Sequence, residues 1–161
     1  MNEQIALAPV RKTIRVEAPI DHAFDVFTAG LTRWWPYNFG VGKKPIEKVL
    51  MEPRLGGRWL EIADDCAETT VATIIVWEPP HRLAMLWQVN AQWKPDAAMK
   101  SEVDVRFVAE GAEVTIVELL HHKFETMGAE AGASLRKDVD GGWPGLLDRF
   151  AKEAAQTRTG G

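Results

Sequence analysis

Between residues 101 and 122 the chain alternates apolar and polar side chains along two segments joined by a turn, and no other stretch limits the fold so tightly. In "KSEVDVRFVAEG", Val103, Val105 and Phe107 fall on one side, and Glu102, Asp104 and Arg106 on the other. A period of two is the pattern of a strand with one buried face. "AEGAE" supplies the turn, and "EVTIVELLHHKF" returns. There Thr115, Val117, Leu119 and His121 share one side, and Ile116, Glu118, Leu120 and His122 the other. A hairpin of this kind needs neighbouring strands and a cover for its apolar face.

The chain offers both. "KTIRVEAP" alternates and predicts a strand from about Lys12 to Ala18. "IEKVLMEP", "GRWLEIA", "TTVATIIVWEPP" (ended by Pro79 and Pro80) and "RLAMLWQV" predict four more. Turn residues beside each segment argue for an antiparallel meander rather than crossover units. Between the first two strands, "PIDHAFDVFT" predicts a short helix with Asp21 as N-cap and Phe24 and Phe27 on its apolar face. "GLTRWWP" predicts a second, opened by Gly30 and closed before Pro36, and "YNFGVGKKP" a glycine-rich loop with Lys43 and Lys44 in solvent. In the tail the period changes: Leu135, Val139, Trp143, Leu146, Leu147 and Phe150 recur at helical spacing. Gly141, Gly142 and Pro144 predict a break there, so the firmest helix runs from about Trp143 to Ala155, with "QTRTGG" fraying. The expected architecture is α+β: a curved antiparallel sheet wrapped around a long C-terminal helix, two short helices after the first strand, and a space between helix and sheet.

A length of 161 residues suits one domain, with an ordered core over about residues 12–155 and no linker or repeat. The net charge of −4 gives no nucleic-acid footprint, and no apolar run is long enough to span a bilayer. The start, "MNEQIALAPVRKT", lacks the apolar core of a signal peptide. A single cysteine, Cys66, excludes an internal disulfide and fits a cytoplasmic location. Its acidic turn, "DDCAE", works against a reactive thiolate, so it reads as an exposed bystander. The 7 Trp and 6 Phe beside 1 Tyr indicate a very heavy core or an aromatic-lined cavity.

Alternation places Trp59 and Glu61 on one face of their strand, with Arg58, Leu60 and Ile62 on the other. A buried carboxylate costs several kcal/mol unless paired or protonated, roughly, so two readings stay open. Glu61 is either a rim residue or a polar contact for a ligand. Adjacent Trp34 and Trp35 point apart, one into the core and one toward a cavity mouth; which is which stays open. Trp87 shares a strand face with Leu83 and Met85 and reads as cavity wall. The facing of Trp77 is ambiguous, and Trp93 sits in a loop from which it could cap an opening. His121 and His122 point apart on their strand, no carboxylate or cysteine set stands at ligand spacing, and no metal or other cofactor is expected. No nucleophile-elbow or triad pattern is present, so no catalytic residue is assigned.

The order of elements resembles the helix-grip fold of the START and birch-pollen-allergen-like superfamily, SRPBCC. Within it, "IRVEAPIDHAFDVFTAGLTRWWP", "MEPRLGGRWLE", "VWEPPHRLAMLW", "LLHHKF" and "GGWPGLLDRF" resemble the bacterial branch related to the activator of the heat-shock-protein-90 ATPase. The likeness spans residues 13–150 and implies a single START-like domain over 1–161. It departs at "ADDCAE", where an Asp-Gly pair is usual, and at Leu120, where a glutamate would precede the histidine. The family pattern places charged residues at the positions of Ile116, Glu118, Leu120 and His122, which implies that His121 faces inward. The implied cavity wall comprises Trp35, Trp59, Glu61, Met85, Trp87, Phe107, His121 and Trp143.

Three functions compete. Binding of a small hydrophobic or amphipathic molecule between sheet and C-terminal helix ranks first, on the tryptophan load and the architecture. A protein-interaction module with a chaperone or other protein partner ranks second, by resemblance to the chaperone activator. A cyclase- or hydrolase-like enzyme using the same cavity ranks third, because Glu61 and His121 are the polar pair available to it.

Overall fold

A computed structural model describes residues 7–36 and 46–157. The expected loop at 37–45, with Lys43 and Lys44, and the chain end beyond Thr157 lie outside the described residues. Strand β1 (Val10–Val16) leads into helices α1 (Ile20–Phe27) and α2 (Leu31–Trp34). Strands β2 (Ile46–Met51), β3 (Arg58–Ala63), β4 (Glu68–Glu78), β5 (Arg82–Trp87), β6 (Ser101–Ala109) and β7 (Thr115–His122) follow. A 3₁₀ turn (Phe124–Met127) then opens helix α3 (Ala129–Thr157). The seven strands form one antiparallel sheet in the order β1-β7-β6-β5-β4-β3-β2, curled as a half-barrel around α3. This is the α+β helix-grip arrangement that the alternation and the change of period predict.

The expected hairpin pairs Val105 with Leu119 and Phe107 with Val117, and all four are buried. Asp104 faces the other way yet is 7% exposed, because Arg82 Nη2 donates to Oδ2 at 2.8 Å. Burial raises its pKa, but the Arg82 and Arg106 guanidiniums outweigh burial and hold the carboxyl below its usual range. Strand β4 resolves the ambiguity at Trp77. It carries bulges where Val71 and Ile75 are skipped in the pairing with β3 and β5. The second bulge shifts the phase of alternation, so Trp77 pairs with inward Leu83 and its ring meets Phe24 at 5.2 Å.

Two local expectations are corrected. Asp21 is not the N-cap of α1: the cap is Pro19, without a side-chain bond, and Asp21 lies in the first turn, where a negative charge suits the helix dipole. The break expected at Gly141, Gly142 and Pro144 does not occur, and α3 is one 29-residue helix that still includes Gln156 and Thr157. Propensity loses here to packing. Leu135, Val139, Trp143, Leu146, Leu147, Phe150 and Ala154 are all buried along one stripe, which outweighs a local cost of about 3 kcal/mol for an interior proline.

Candidate functional site

The site begins with how two tryptophans leave α2. Trp34 turns inward and its indole N–H donates to the Val26 carbonyl at 2.9 Å. Arg149 of α3 donates to the Trp34 carbonyl at 2.8 Å. Trp35, extended at ψ 127°, is thereby turned the other way and lines a cavity beneath α3. The end of β5 contributes Trp87, and α3 contributes Val139, Gly142, Trp143 and Leu146. Trp93 and Asp138 complete the described wall of a space of about 310 Å³.

Trp93 is held by a tight turn. Asn90 accepts from the backbone N–H of Gln92 and of Lys94 at 3.0 and 3.1 Å, and the Asn90 carbonyl accepts from Trp93 N at 2.9 Å. This puts Trp93 at φ 60°, an unusual region for a bulky side chain. Its indole N–H donates to Asp138 Oδ2 at 3.0 Å, and the ring remains 38% exposed. The indole thus bridges the β5–β6 connection to α3 at the rim of the cavity.

Behind Trp143 lies a buried polar chain. Trp143 Nε1 donates to His121 Nδ1 at 3.2 Å, and His121 Nε2 stands 3.2 Å from Ser101 Oγ. Indole N–H is donor-only, so His121 Nδ1 must accept and the imidazole proton sits on Nε2, directed at Ser101. Burial foremost, with His122 nearby, lowers the His121 pKa to about 3 and keeps the ring neutral. This polarity is the reverse of a serine–histidine dyad, in which the imidazole must accept the hydroxyl proton. The chain orients the Trp143 ring instead.

Of the residues expected in the wall, Trp35, Trp87 and Trp143 line the described cavity. Trp59 is buried against Trp35 and Trp87, with ring centroids at 4.6 and 5.3 Å, and does not line the cavity itself. Met85 is fully buried in the same core. Phe107 packs on Phe24 and Phe27 at 5.1 and 5.8 Å. Glu61 is 4% exposed and pairs in register with Val49 and Thr69. His121 reaches the cavity through Trp143. Asp138 and Ser101 were not singled out by the sequence, and Gly142 only as a helix breaker, not as cavity wall. Asp138 carries a readable signal, since it precedes Val139 on a helix whose buried stripe is evident, but its partner Trp93 is 45 residues distant. Ser101 sits opposite Trp87 in register, at the end of an expected strand, yet a lone serine has no pattern that marks it.

Fold and cavity together define a helix-grip protein with an aromatic chamber between sheet and terminal helix. The profile of the "Activator of Hsp90 ATPase homolog 1-like protein" family matches residues 17–155, and the chain belongs to this family. Among solved structures it is similar to Txn09, an anthrahydroquino-γ-pyrone synthase, at 37% identity over 91% of this chain and 97% of that one, with a TM-score of 0.64. It is also similar to CalC, a self-sacrificing resistance protein from Micromonospora echinospora, at 32% identity over 95% and 97% of the two chains, with a TM-score of 0.70. Protein MLL2253 from Mesorhizobium loti shares the fold at 16% identity and a TM-score of 0.65, over 93% and 98%. No functionally curated sequence matches the chain.

Proposed function

We propose that the protein binds a small, largely apolar ring compound in the cavity beneath α3. The observation that carries this is the wall itself: Trp35, Trp87, Trp93 and Trp143 surround a space of about 310 Å³, within the range of roughly 300–1,000 Å³ usual for ligand sites. Flat aromatic faces favour a flat aromatic occupant. The name of Txn09, a synthase of a fused-ring pyrone, supports the same class. Turnover of the occupant is the second reading that this name motivates. Asp138 would be its acid or base, as the ionisable residue among the described lining. Docking to a chaperone is not adopted: exposed Leu55, Ile75 and Val108 sit on separate segments, and charges such as Arg15–Glu17 and Lys123–Glu102 are paired.

Gly142 gives the test. A Cβ placed there meets nothing within 4 Å, and the residue lines the cavity. Gly142→Leu should therefore fold while filling the chamber. Calorimetric titration with the three-ring probe 9-fluorenone should show binding to the wild type and at least a tenfold loss in Gly142→Leu. No heat with the wild type, or equal affinity for both proteins, overturns the reading.

A further inference from the structure

We propose that the occupant of the cavity carries a positive charge, a protonated amine or a quaternary ring nitrogen, and that Asp138 is the residue that selects it. This rests on the reading of the cavity as a ligand site and adds the charge of what enters it. The acids of α3 give the first observation. Asp140 is held by Lys12 at 2.8 Å, Asp148 by Lys152 at 3.1 Å and Glu153 by Arg33 at 2.9 Å. Glu130 stands in the first turn, where the helix dipole favours it. Asp138 lines the cavity, is exposed, and meets no cation among the described residues. Lys94 and Lys137, next in sequence to Trp93 and Asp138, are not part of the described wall.

The carboxylate is also the polar group that an occupant reaches. The indole nitrogens of Trp35 and Trp87 are buried away from the surface. That of Trp143 donates to His121, and that of Trp93 to Asp138 Oδ2. Oδ1 of Asp138 has no hydrogen bond among the described residues, so half of the carboxylate stays uncommitted at the rim. Gly142, four residues on and on the same side of α3, puts no side chain into the space beside it, since a Cβ there meets nothing within 4 Å. The rest of the wall is rich in tryptophan, the best aromatic partner for a cation. A cation drawn to Asp138 therefore enters among rings that also favour it, and a neutral compound of the same shape gains neither attraction.

N-methylquinolinium and 1-methylnaphthalene share one two-ring skeleton and one methyl group, and differ by a charged nitrogen against a carbon. In calorimetric titration of the wild type, the cation should bind about 3- to 20-fold tighter. Asp138→Asn keeps an acceptor for Trp93 and removes the charge. It should cut that preference at least threefold, while affinity for 1-methylnaphthalene stays within about twofold of the wild type. Gly142→Leu, which fills the chamber, should lose both compounds. Equal affinity of the wild type for the two, or a preference undiminished in Asp138→Asn, overturns the assignment of Asp138 and leaves the cavity reading intact. Binding of the cation by Gly142→Leu as tightly as by the wild type places it on the acidic surface outside the chamber and overturns the assignment as well. Failure of both compounds to bind the wild type overturns both readings.

Discussion

His121 shows how much one neutral side chain can ask of the solvent. Its folded pKa lies near 3, far below the ordinary 6.5. Above pH 6.5 both folded and unfolded chains hold it neutral, and it adds no pH dependence. Between 6.5 and 3 the unfolded chain takes up a proton that the folded chain refuses, so stability falls as pH falls, by about 1.4 kcal/mol per unit. Urea melts at pH 6.5 and 4.5 should show a loss of roughly 2–3 kcal/mol attributable to this residue. His121→Gln, which retains an acceptor for Trp143 and a donor for Ser101, should flatten that slope. An unchanged slope in the variant would show that other groups carry it. Trp93 offers a second case: Trp93→Gly should leave stability within about 1 kcal/mol, since relief of the left-handed backbone offsets the lost contacts. Release of a bound ring compound should quicken, read by stopped flow.

The turn before β3 is the element most dependent on single atoms. Pro53, Gly56 and Gly57 bring β3 back so that Met51 faces Trp59 and Val49 faces Glu61. The two glycines act differently. Gly56 takes φ +79°, while a Cβ on Gly57 would sit 2.2 Å from the Glu52 carbonyl oxygen. Backbone bonds from Gly56 N to Ile74 and from Ile74 N to Gly57 bind the turn to β4. Gly57→Val should therefore cost about 2–4 kcal/mol, measured by chemical denaturation, through backbone displacement. A loss below 1 kcal/mol would mean that the turn relaxes freely. In α3, Leu147 is 2% exposed, and Leu147→Asp should cost on the order of several kcal/mol; melting within a degree or two of the wild type would place that face outside the seam.

At the scale of the molecule, sheet order and the gripping helix were legible because they rest on periodicity, which is local. Alternation in β6 and β7 and the helical stripe through Phe150 each occupy a short window. The bulges at Val71 and Ile75 were not legible, because nothing local distinguishes a skipped residue from a paired one, and the facing of Trp77 went with them. The same limit applies to the cavity. Tryptophans were recognisable as its material, but which of Trp34 and Trp35 reaches it depends on Val26 and Arg149, remote residues that accept and donate at the corner. The polar details, His121 with Ser101 and Trp93 with Asp138, join segments 20 and 45 residues apart and need the fold before they exist.

The indoles of Trp34, Trp35, Trp59, Trp87 and Trp143 form an unbroken succession, with neighbouring centroids 5.9, 4.6, 5.3 and 5.9 Å apart. At such spacing an absorbed photon does not stay on one ring. Excitation passes along the row before it is emitted, and the transitions couple, so the near-ultraviolet dichroism should be intense and its shape should belong to the row rather than to any member. An electron-poor compound seated against Trp87 would darken the glow of all five, while one adsorbed elsewhere on the surface would dim little. The chamber is in this sense wired to its own optical readout. Because Trp35 also meets Trp143 at 6.3 Å, the path closes on itself, and Trp59→Phe should still leave Trp34 dimmed when Trp87 is quenched.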